Sequence, residues 1–246
     1  MVKNLNIVIP ACRTAENIFE VIKRIDFRQI NQLIVVDDCC PLKTGKFLKN
    51  QIEKNFELKD ELNKKKIVFI NNKINLGVGG ATKKGFEYSI EQGADFVIKI
   101  DSDGQMNPLD IKLLIEKQSE NDYDYVKGNR LIVSKNYKII PVARLIGNLI
   151  LSMISKINSG YYSISDPING FFLIKTSTLH DINYKNLNNG FFFESDIINR
   201  LGNVNAKIAE IPQNAIYFNQ KSNLKIYKVI LPFIILHMKF FLKKFL

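Results

Sequence analysis

Short apolar runs and amphipathic stretches alternate along the first half of the chain. Asn6-Ile7-Val8-Ile9 is an apolar run stopped by Pro10, and Leu33 to Val36 is a second that ends in Asp37-Asp38. Lys66 to Ile70, Asp95 to Ile100 and Tyr123 to Val126 predict three more strands. Between them, Glu16 to Ile25 places Ile18, Val21, Ile22 and Ile25 on one helical face. Gly45 to Phe56, Ala81 to Gln92 and Pro108 to Gln118 also predict helices, the last with proline at its first position. Strands that alternate with helices predict βαβ units and an α/β fold with a mostly parallel, doubly wound sheet. Ligands of such sheets bind beyond the carboxyl ends of the strands. The polar clusters fall there: Asp37-Asp38 after strand two, Asn75 to Gly80 after strand three, and Asp101-Ser102-Asp103 after strand four.

The second half is patterned differently. Pro141 to Ile157 predicts an amphipathic helix, and Ser163 to Ile174 a loop and strand. Asn189 to Asp196 opens another helix, and Ala206 to Ile211 predicts a strand. Lys225 to Leu246 predicts one or two helices broken near Pro232. The expected organisation is a domain over 1–224 and a basic amphipathic tail over 225–246, with no internal repeat.

Charge adds information through its location. The formal net charge is +11, and Ile211 to Leu246 holds no acidic residue. Lys221, Lys225, Lys228, Lys239, Lys243 and Lys244 lie there among Ile, Leu and Phe. That mixture suits an interfacial helix on anionic lipid better than a nucleic-acid surface, so no nucleic-acid partner is expected. No signal peptide pattern opens the chain and no apolar run is long enough for an ordinary transmembrane helix. Cys12, Cys39 and Cys40 are odd in number with two adjacent, which predicts reduced, buried thiols in the cytosol.

The sharpest chemical signal is Val97 to Gln105. An apolar run ends in Asp101 and Asp103, one residue apart, followed by Gly104 and Gln105. Strand side chains alternate faces, so two carboxylates at this spacing point to the same side. Their hard oxygens suit Mg²⁺ or Mn²⁺ bridging to a diphosphate. Asn75 to Ala81 is a glycine-rich turn into a helix; glycine permits close approach of a ligand, and the helix N-terminus favours anions. It matches neither a Walker loop nor the dinucleotide fingerprint.

The order of Ile7-Val8-Ile9-Pro10 with Glu16-Asn17, Val35-Val36-Asp37-Asp38, Asn75 to Ala81 and Asp101 to Gln105 resembles inverting GT-A glycosyltransferases of family 2. The likeness spans about residues 4 to 225 and leans to the dolichyl- or polyprenyl-phosphate sugar transferase branch, with further matches at Gly128-Asn129-Arg130, Arg144 and Asp166 to Phe171. The resemblance implies that Pro10, Ala11, Arg13 and Glu16 border the nucleotide base and that Asp38 contacts base or ribose, with Gly79 shaping the same pocket. It implies donor and metal roles for Asp101 and Asp103, with Ser102 on the donor side and Gln105 a further ligand of Mg²⁺ or Mn²⁺. Arg130 and Arg144 match cationic positions near the transferred group and the acceptor phosphate. Ala11-Cys12-Arg13-Thr14 stands where relatives usually carry Tyr-Asn-Glu, which leaves the base open.

The implied reaction moves a sugar from a nucleotide-diphosphate sugar to a polyprenyl phosphate or a nascent surface glycan. A sugar hydroxyl needs a general base, for which Glu194 and Asp196 are candidates, whereas a phosphomonoester with a second pKa of about 6 is already anionic. Asp166 is a candidate carboxylate on the acceptor side. A lipid-linked acceptor and the tail together imply a cytoplasmic protein, peripheral on the inner face of the cell membrane. A nucleotidyltransferase and a non-catalytic membrane-associated scaffold on the same fold are the alternatives; the first lacks a basic glycine-rich loop after strand one, and intact Asp101, Asp103 and Gln105 argue against the second.

Overall fold

The computed structural model describes residues 4–216 together with 235, 238 and 240–242, and of Ala143 and Arg144 the backbone only. The strands are β1 (Leu5–Ala11), β2 (Gln32–Asp37), β3 (Ile67–Asn71), β4 (Phe96–Lys99), β5 (Tyr125–Asn129), β6 (Phe172–Lys175) and β7 (Ile208–Pro212). They form one sheet in the order β3-β2-β1-β4-β6-β5-β7. Neighbours pair in parallel except at β6, which runs antiparallel to both β4 and β5. The expected mostly parallel GT-A-type sheet is the observed one.

The helices are α1 (Ala15–Lys23), α2 (Thr44–Lys54), α3 (Phe56–Asn63), α4 (Gly77–Glu91), α5 (Ile111–Asn121), α6 (Val142–Ser159), α7 (Thr176–Asp181) and α8 (Phe193–Asn203). Where the spacing predicts a single helix to Phe56, the chain breaks at Asn55, whose extended backbone ends α2 and whose side chain accepts from the Leu58 amide at 3.0 Å to start α3. An asparagine that caps this well makes a new helix cheaper than a continued one.

The core has two layers, one on each face of the sheet. Leu5, Ile7 and Ile9 of β1 point to the first with Ile18, Val21 and Ile22 of α1, Leu48 and Ile52 of α2 and Leu114 of α5. Val8 points to the second, with Phe86 of α4, Leu179 of α7 and Ile197 and Leu201 of α8. Every residue of β1 is buried, which explains why these strands read as continuous apolar runs rather than alternating ones. Truncating one such side chain, Ile22→Ala for instance, removes roughly 2–5 kcal/mol.

Helix α6 is amphipathic, as its spacing predicts, but its polar face is the buried one. Asn148, Ser152, Ser155 and Ser159 are buried, while Val142, Ile146, Leu149, Ile150 and Met153 are exposed. The three cysteines are free, but only Cys40 is buried; Cys39 is exposed in a left-handed turn, which corrects the expectation of three buried thiols. Most of the expected tail, 225–246, lies outside the described residues.

Candidate active site

At the carboxyl ends of β1, β2 and β4 the polar clusters come together. Asp101 and Asp103 line a pocket of about 180 Å³ with Gln105, Met106, Arg130, Ile168, Asn169, Gly170 and Gln213. The backbone N–H of Gln105 donates to Asp103 Oδ1 at 2.9 Å, which fixes the turn after the aspartates. Burial pushes the Asp103 carboxyl above the ordinary range, and the neighbouring charge of Asp101 pushes it the same way. Two close carboxylates plus an amide oxygen are a donor set for Mg²⁺ or Mn²⁺, which take one or two carboxylates and leave the other positions to water and phosphate. The like-charge strain on Asp103 is what a divalent cation would relieve, so the residues present fit such an ion.

Lys99, the last residue of β4, sits behind this pair. It is buried, and its Nζ lies 2.7 Å from Asp101 Oδ1 and 2.6 Å from Glu194 Oε1. Burial works against its charge, but the two carboxylates outweigh that and hold the ammonium protonated, above the usual lysine range. Gly170 is pressed against this group: a Cβ there would collide with Lys99 Nζ and Asp101 Oδ2. Glu194 therefore stands behind the pocket, committed to Lys99, and is not among the residues that line it. Asp196 accepts from the Asn188 amide and from Arg200, so it is a brace within the α8 region.

Asp166 is likewise not turned toward the pocket. It is fully buried, and Arg130 grips it in two bonds: Nε donates to Oδ2 at 2.7 Å and Nη2 to Oδ1 at 2.7 Å. Burial alone raises a carboxyl; the guanidinium reverses this and brings Asp166 down to about 2. Lys127, buried in β5, donates to the carbonyls of Gly128, Ser165 and Asp166 and so fixes the same loop. Asn169 extends the brace with bonds to Gly128 O and Gln213 Oε1. Arg130 is thus a preset cation at the pocket edge, with Asp166 as the residue that sets it. Arg144 lies in the first turns of α6, and its side chain is outside the described set.

The residues expected around the base form a second group that does not line this pocket. Pro10 and Ala11 are buried at the end of β1, while Arg13 and Glu16 are exposed. Ser102 ties them to the aspartates: its hydroxyl donates to Pro10 O at 2.9 Å and accepts from Thr14 Oγ1 at 2.9 Å, and Asn17 donates to Asp103 O.

Asp38, expected to contact base or ribose, is engaged with the loop that opens α4. Its carboxylate accepts from the amides of Leu76 and Gly77, each at 2.8 Å, and from Asn72. The amides of Gly79 and Gly80 donate to Asn189 O. The start of α4 is therefore an anion site already occupied by the protein's own groups, and the expected room for a ligand anion is filled. Gly79 is required by packing, since a Cβ would strike Asn188 O and the Phe193 ring.

Sequence reasoning missed Lys99 and Lys127 as site residues. The available signal was a lysine inside each of the apolar runs Val97 to Ile100 and Tyr125 to Gly128, because a buried lysine is seldom unpaired.

Comparison with known proteins agrees with this geometry. The sequence model described as glycosyl transferase family 2 matches residues 6–182. The chain is 31% identical over 180 residues, 72% of this chain and 71% of the other, to a UDP-N-acetylglucosamine–dolichyl-phosphate N-acetylglucosaminyltransferase of Methanococcus voltae. It is 24% identical to an undecaprenyl-phosphate mannosyltransferase of Micrococcus luteus, over 74% of this chain and 70% of the other. In fold it is similar to glucosyl-3-phosphoglycerate synthase of Mycobacterium tuberculosis, solved with Mn²⁺, UDP and phosphoglyceric acid, with a TM-score of 0.63, 16% identity, and coverage of 89% of this chain and 72% of that one. The chain belongs to glycosyl transferase family 2 and is a glycosyltransferase with the GT-A fold.

Proposed function

We propose that the chain transfers a sugar, with inversion, from a nucleotide-diphosphate sugar to a polyprenyl phosphate, in a reaction that depends on a divalent cation. The observation that carries this is the convergence of Asp101, Asp103, Gln105 and Arg130 on one pocket. Asp101 and Asp103, with Gln105 beside them, would hold Mg²⁺ or Mn²⁺, which when bound supplies a Lewis acid for the departing diphosphate.

The chain's own residues favour a phosphate over a sugar hydroxyl as acceptor. Besides Asp101 and Asp103, no carboxylate among the described residues lines the pocket. Glu194, the candidate base, is ion-paired with Lys99. A phosphomonoester needs no base near neutral pH, because its second pKa is about 6. What it needs is a cation, and Arg130 is held ready at the pocket edge by Asp166. Arg144 is assigned to the same phosphate. The Methanococcus and Micrococcus relatives are named for polyprenyl-phosphate acceptors, and the former for a UDP-sugar, which supports the same reading. The segment Pro10 to Glu16 borders the base, and its loop is tied to the catalytic pair through Ser102. Residues 1–224 form the catalytic domain, and 225–246 a basic tail at an anionic membrane surface, on the cytoplasmic face.

The experiment is transfer of labelled sugar from UDP-, GDP- and CDP-linked donors to undecaprenyl phosphate by the purified chain, with and without Mn²⁺. Label should enter the lipid phase from one donor, depend on the cation, and vanish in Asp103→Ala. Transfer that persists in that variant would contradict the reading.

A further inference from the structure

Cys12 and Cys40 come together at the carboxyl edge of the sheet. Cys12 follows β1 and Cys40 follows β2, and these strands pair in parallel up to Ala11 and Asp37. The Asp38 amide donates to Ala11 O at 3.0 Å, so the two chains leave the sheet side by side. The Arg13 backbone N–H then donates to Cys40 Sγ at 3.1 Å. This donor is one residue past Cys12, so it holds the Cys40 sulfur against the Cys12 backbone. The side chains meet as well, with the Cys12 thiol hydrogen-bonded to Cys40. Both cysteines are free.

Their surroundings give the two thiols different characters. Cys40 is 7% exposed. Burial works against its thiolate, but the Thr44 hydroxyl at 3.0 Å and the backbone N–H groups of Arg13, Thr44 and Leu42 outweigh it and bring the thiol below its ordinary range. Cys12 is half-buried; burial, followed by the charge of the neighbouring Cys40, pushes its thiol up to about 11. The pair therefore gives up its first proton from Cys40 and keeps the second on Cys12. A favoured thiolate touching a second thiol is the arrangement in which an oxidant acts on one sulfur and the other resolves it. A small hydroperoxide, rather than a bulky disulfide, matches the slight exposure of Cys40. Cys39 is set apart: it is exposed, and its thiol donates to Lys73 O at 3.5 Å.

We infer that Cys12 and Cys40 form a reversible oxidation site for hydroperoxides, whose disulfide withdraws the base-bordering segment from the nucleotide. The Cys40 thiolate attacks hydrogen peroxide, the O–O bond breaks, and Cys40 becomes a sulfenic acid while the displaced hydroxide takes up a proton and leaves as water. The Cys12 sulfur then attacks the Cys40 sulfur, the S–O bond breaks, and the hydroxide leaves as a second water with the Cys12 proton. The two thiols lose two electrons and the peroxide gains them. A disulfide holds its sulfurs at about 2 Å, well inside hydrogen-bond contact, so the bridge draws the turn of Cys12 and Arg13 toward the start of α2. That turn leads into Thr14, which donates to Ser102 at 2.9 Å, so the movement reaches the link to the aspartates. The inference rests on the donor reading for its consequence, and on the thiol geometry alone for its chemistry.

The test treats the full reduced chain with hydrogen peroxide. Peptide mass mapping locates any bridge, and calorimetry reads the affinity for UDP, GDP and CDP with Mn²⁺ before oxidation, after it, and after dithiothreitol. The expected product is a Cys12–Cys40 peptide. The nucleotide that binds the reduced chain should bind about tenfold or more weakly once the competent arrangement of the segment is lost, and dithiothreitol should restore it. Cys40→Ser should lose both the bridge and the response to peroxide, whereas Cys39→Ser should respond as the parent does. A Cys12–Cys39 bridge, no bridge, or a Cys12–Cys40 bridge that leaves affinity unchanged overturns the inference. So does a loss of affinity that persists in Cys40→Ser or survives dithiothreitol, which would place the oxidation at Met106 of the pocket. Failure of the donor reading shows separately, as no nucleotide bound by the reduced chain; the mapped bridge then decides the oxidation site by itself.

Discussion

Lys99 Nζ lies 2.7 Å from Asp101 Oδ1 while also holding Glu194 at 2.6 Å, so an acid of the candidate metal pair shares a buried cation with an acid on α8. The shared ammonium offsets the charge of Asp101 and fixes its carboxylate at the pocket wall. Lys99→Met would leave two carboxylates facing each other in a poorly solvated space. The expected loss is about 3–5 kcal/mol of stability, as for breaking a buried ion pair from one side. Chemical denaturation measures it. Lys99→Met combined with Glu194→Gln should recover part of that loss; no recovery would mean that the pair is not coupled in this way.

Asp103 gives a pH dependence with a definite sign. Its folded-state pKa is raised by burial and by Asp101, so ionising it in the absence of a cation lowers stability as pH rises above the ordinary Asp range, near 3.9. Cation binding requires the ionised form. Mn²⁺ affinity should therefore fall with acidification at a higher pH than an unperturbed aspartate would give. Calorimetric titration of Mn²⁺ across the acid range reads this directly. A Mn²⁺ affinity that is flat down to pH about 4 would be inconsistent with the raised carboxyl.

Asp166 carries the opposite sign. Arg130 depresses its carboxyl to about 2 despite full burial, so its contribution is present above the unfolded value near 3.9 and is lost as pH falls from there toward about 2. Asp166→Asn should flatten the acid limb of the stability curve. It should also release Arg130, so that the Michaelis constant for a phosphate acceptor rises while donor binding is unchanged. An unaltered acceptor constant would assign the pair to folding alone.

Asp38 is expected to act through the α4 loop. Asp38→Ala removes the acceptor of the Leu76 and Gly77 amides and should destabilise by about 1–3 kcal/mol. Faster hydrogen exchange confined to these amides and their neighbours is the signature. If exchange there is unchanged and only nucleotide affinity falls, Asp38 is a base contact after all.

The sequence was informative where a physical rule has one solution. Apolar runs closed by acids marked the strand ends, and the spacing of Asp101 and Asp103 placed two carboxylates together, as the pocket bears out. It was less informative where tertiary partners decide. Nothing local tells whether Glu194 meets solvent or Lys99, because its partner is 95 positions away. Asp166 reads as a free acid until Arg130 is folded onto it. The glycines of Gly77 to Gly80 read as room for a ligand, but Asp38 and Asn189 fill that space. For α6 the periodicity revealed two faces and could not say which is buried, since hydrophobic spacing is the same for either orientation.

In the proposed function, Asp101 and Asp103 bind a nucleotide-diphosphate sugar together with a divalent cation. The most direct measurement is the melting temperature of the parent and of Asp103→Ala with UDP-, GDP- and CDP-sugars in the presence of Mn²⁺, since a ligand bound only by the native state raises it. One donor should raise it in the parent, only with the cation, and not in the variant. No rise with any donor, or an equal rise in Asp103→Ala, would contradict the claim.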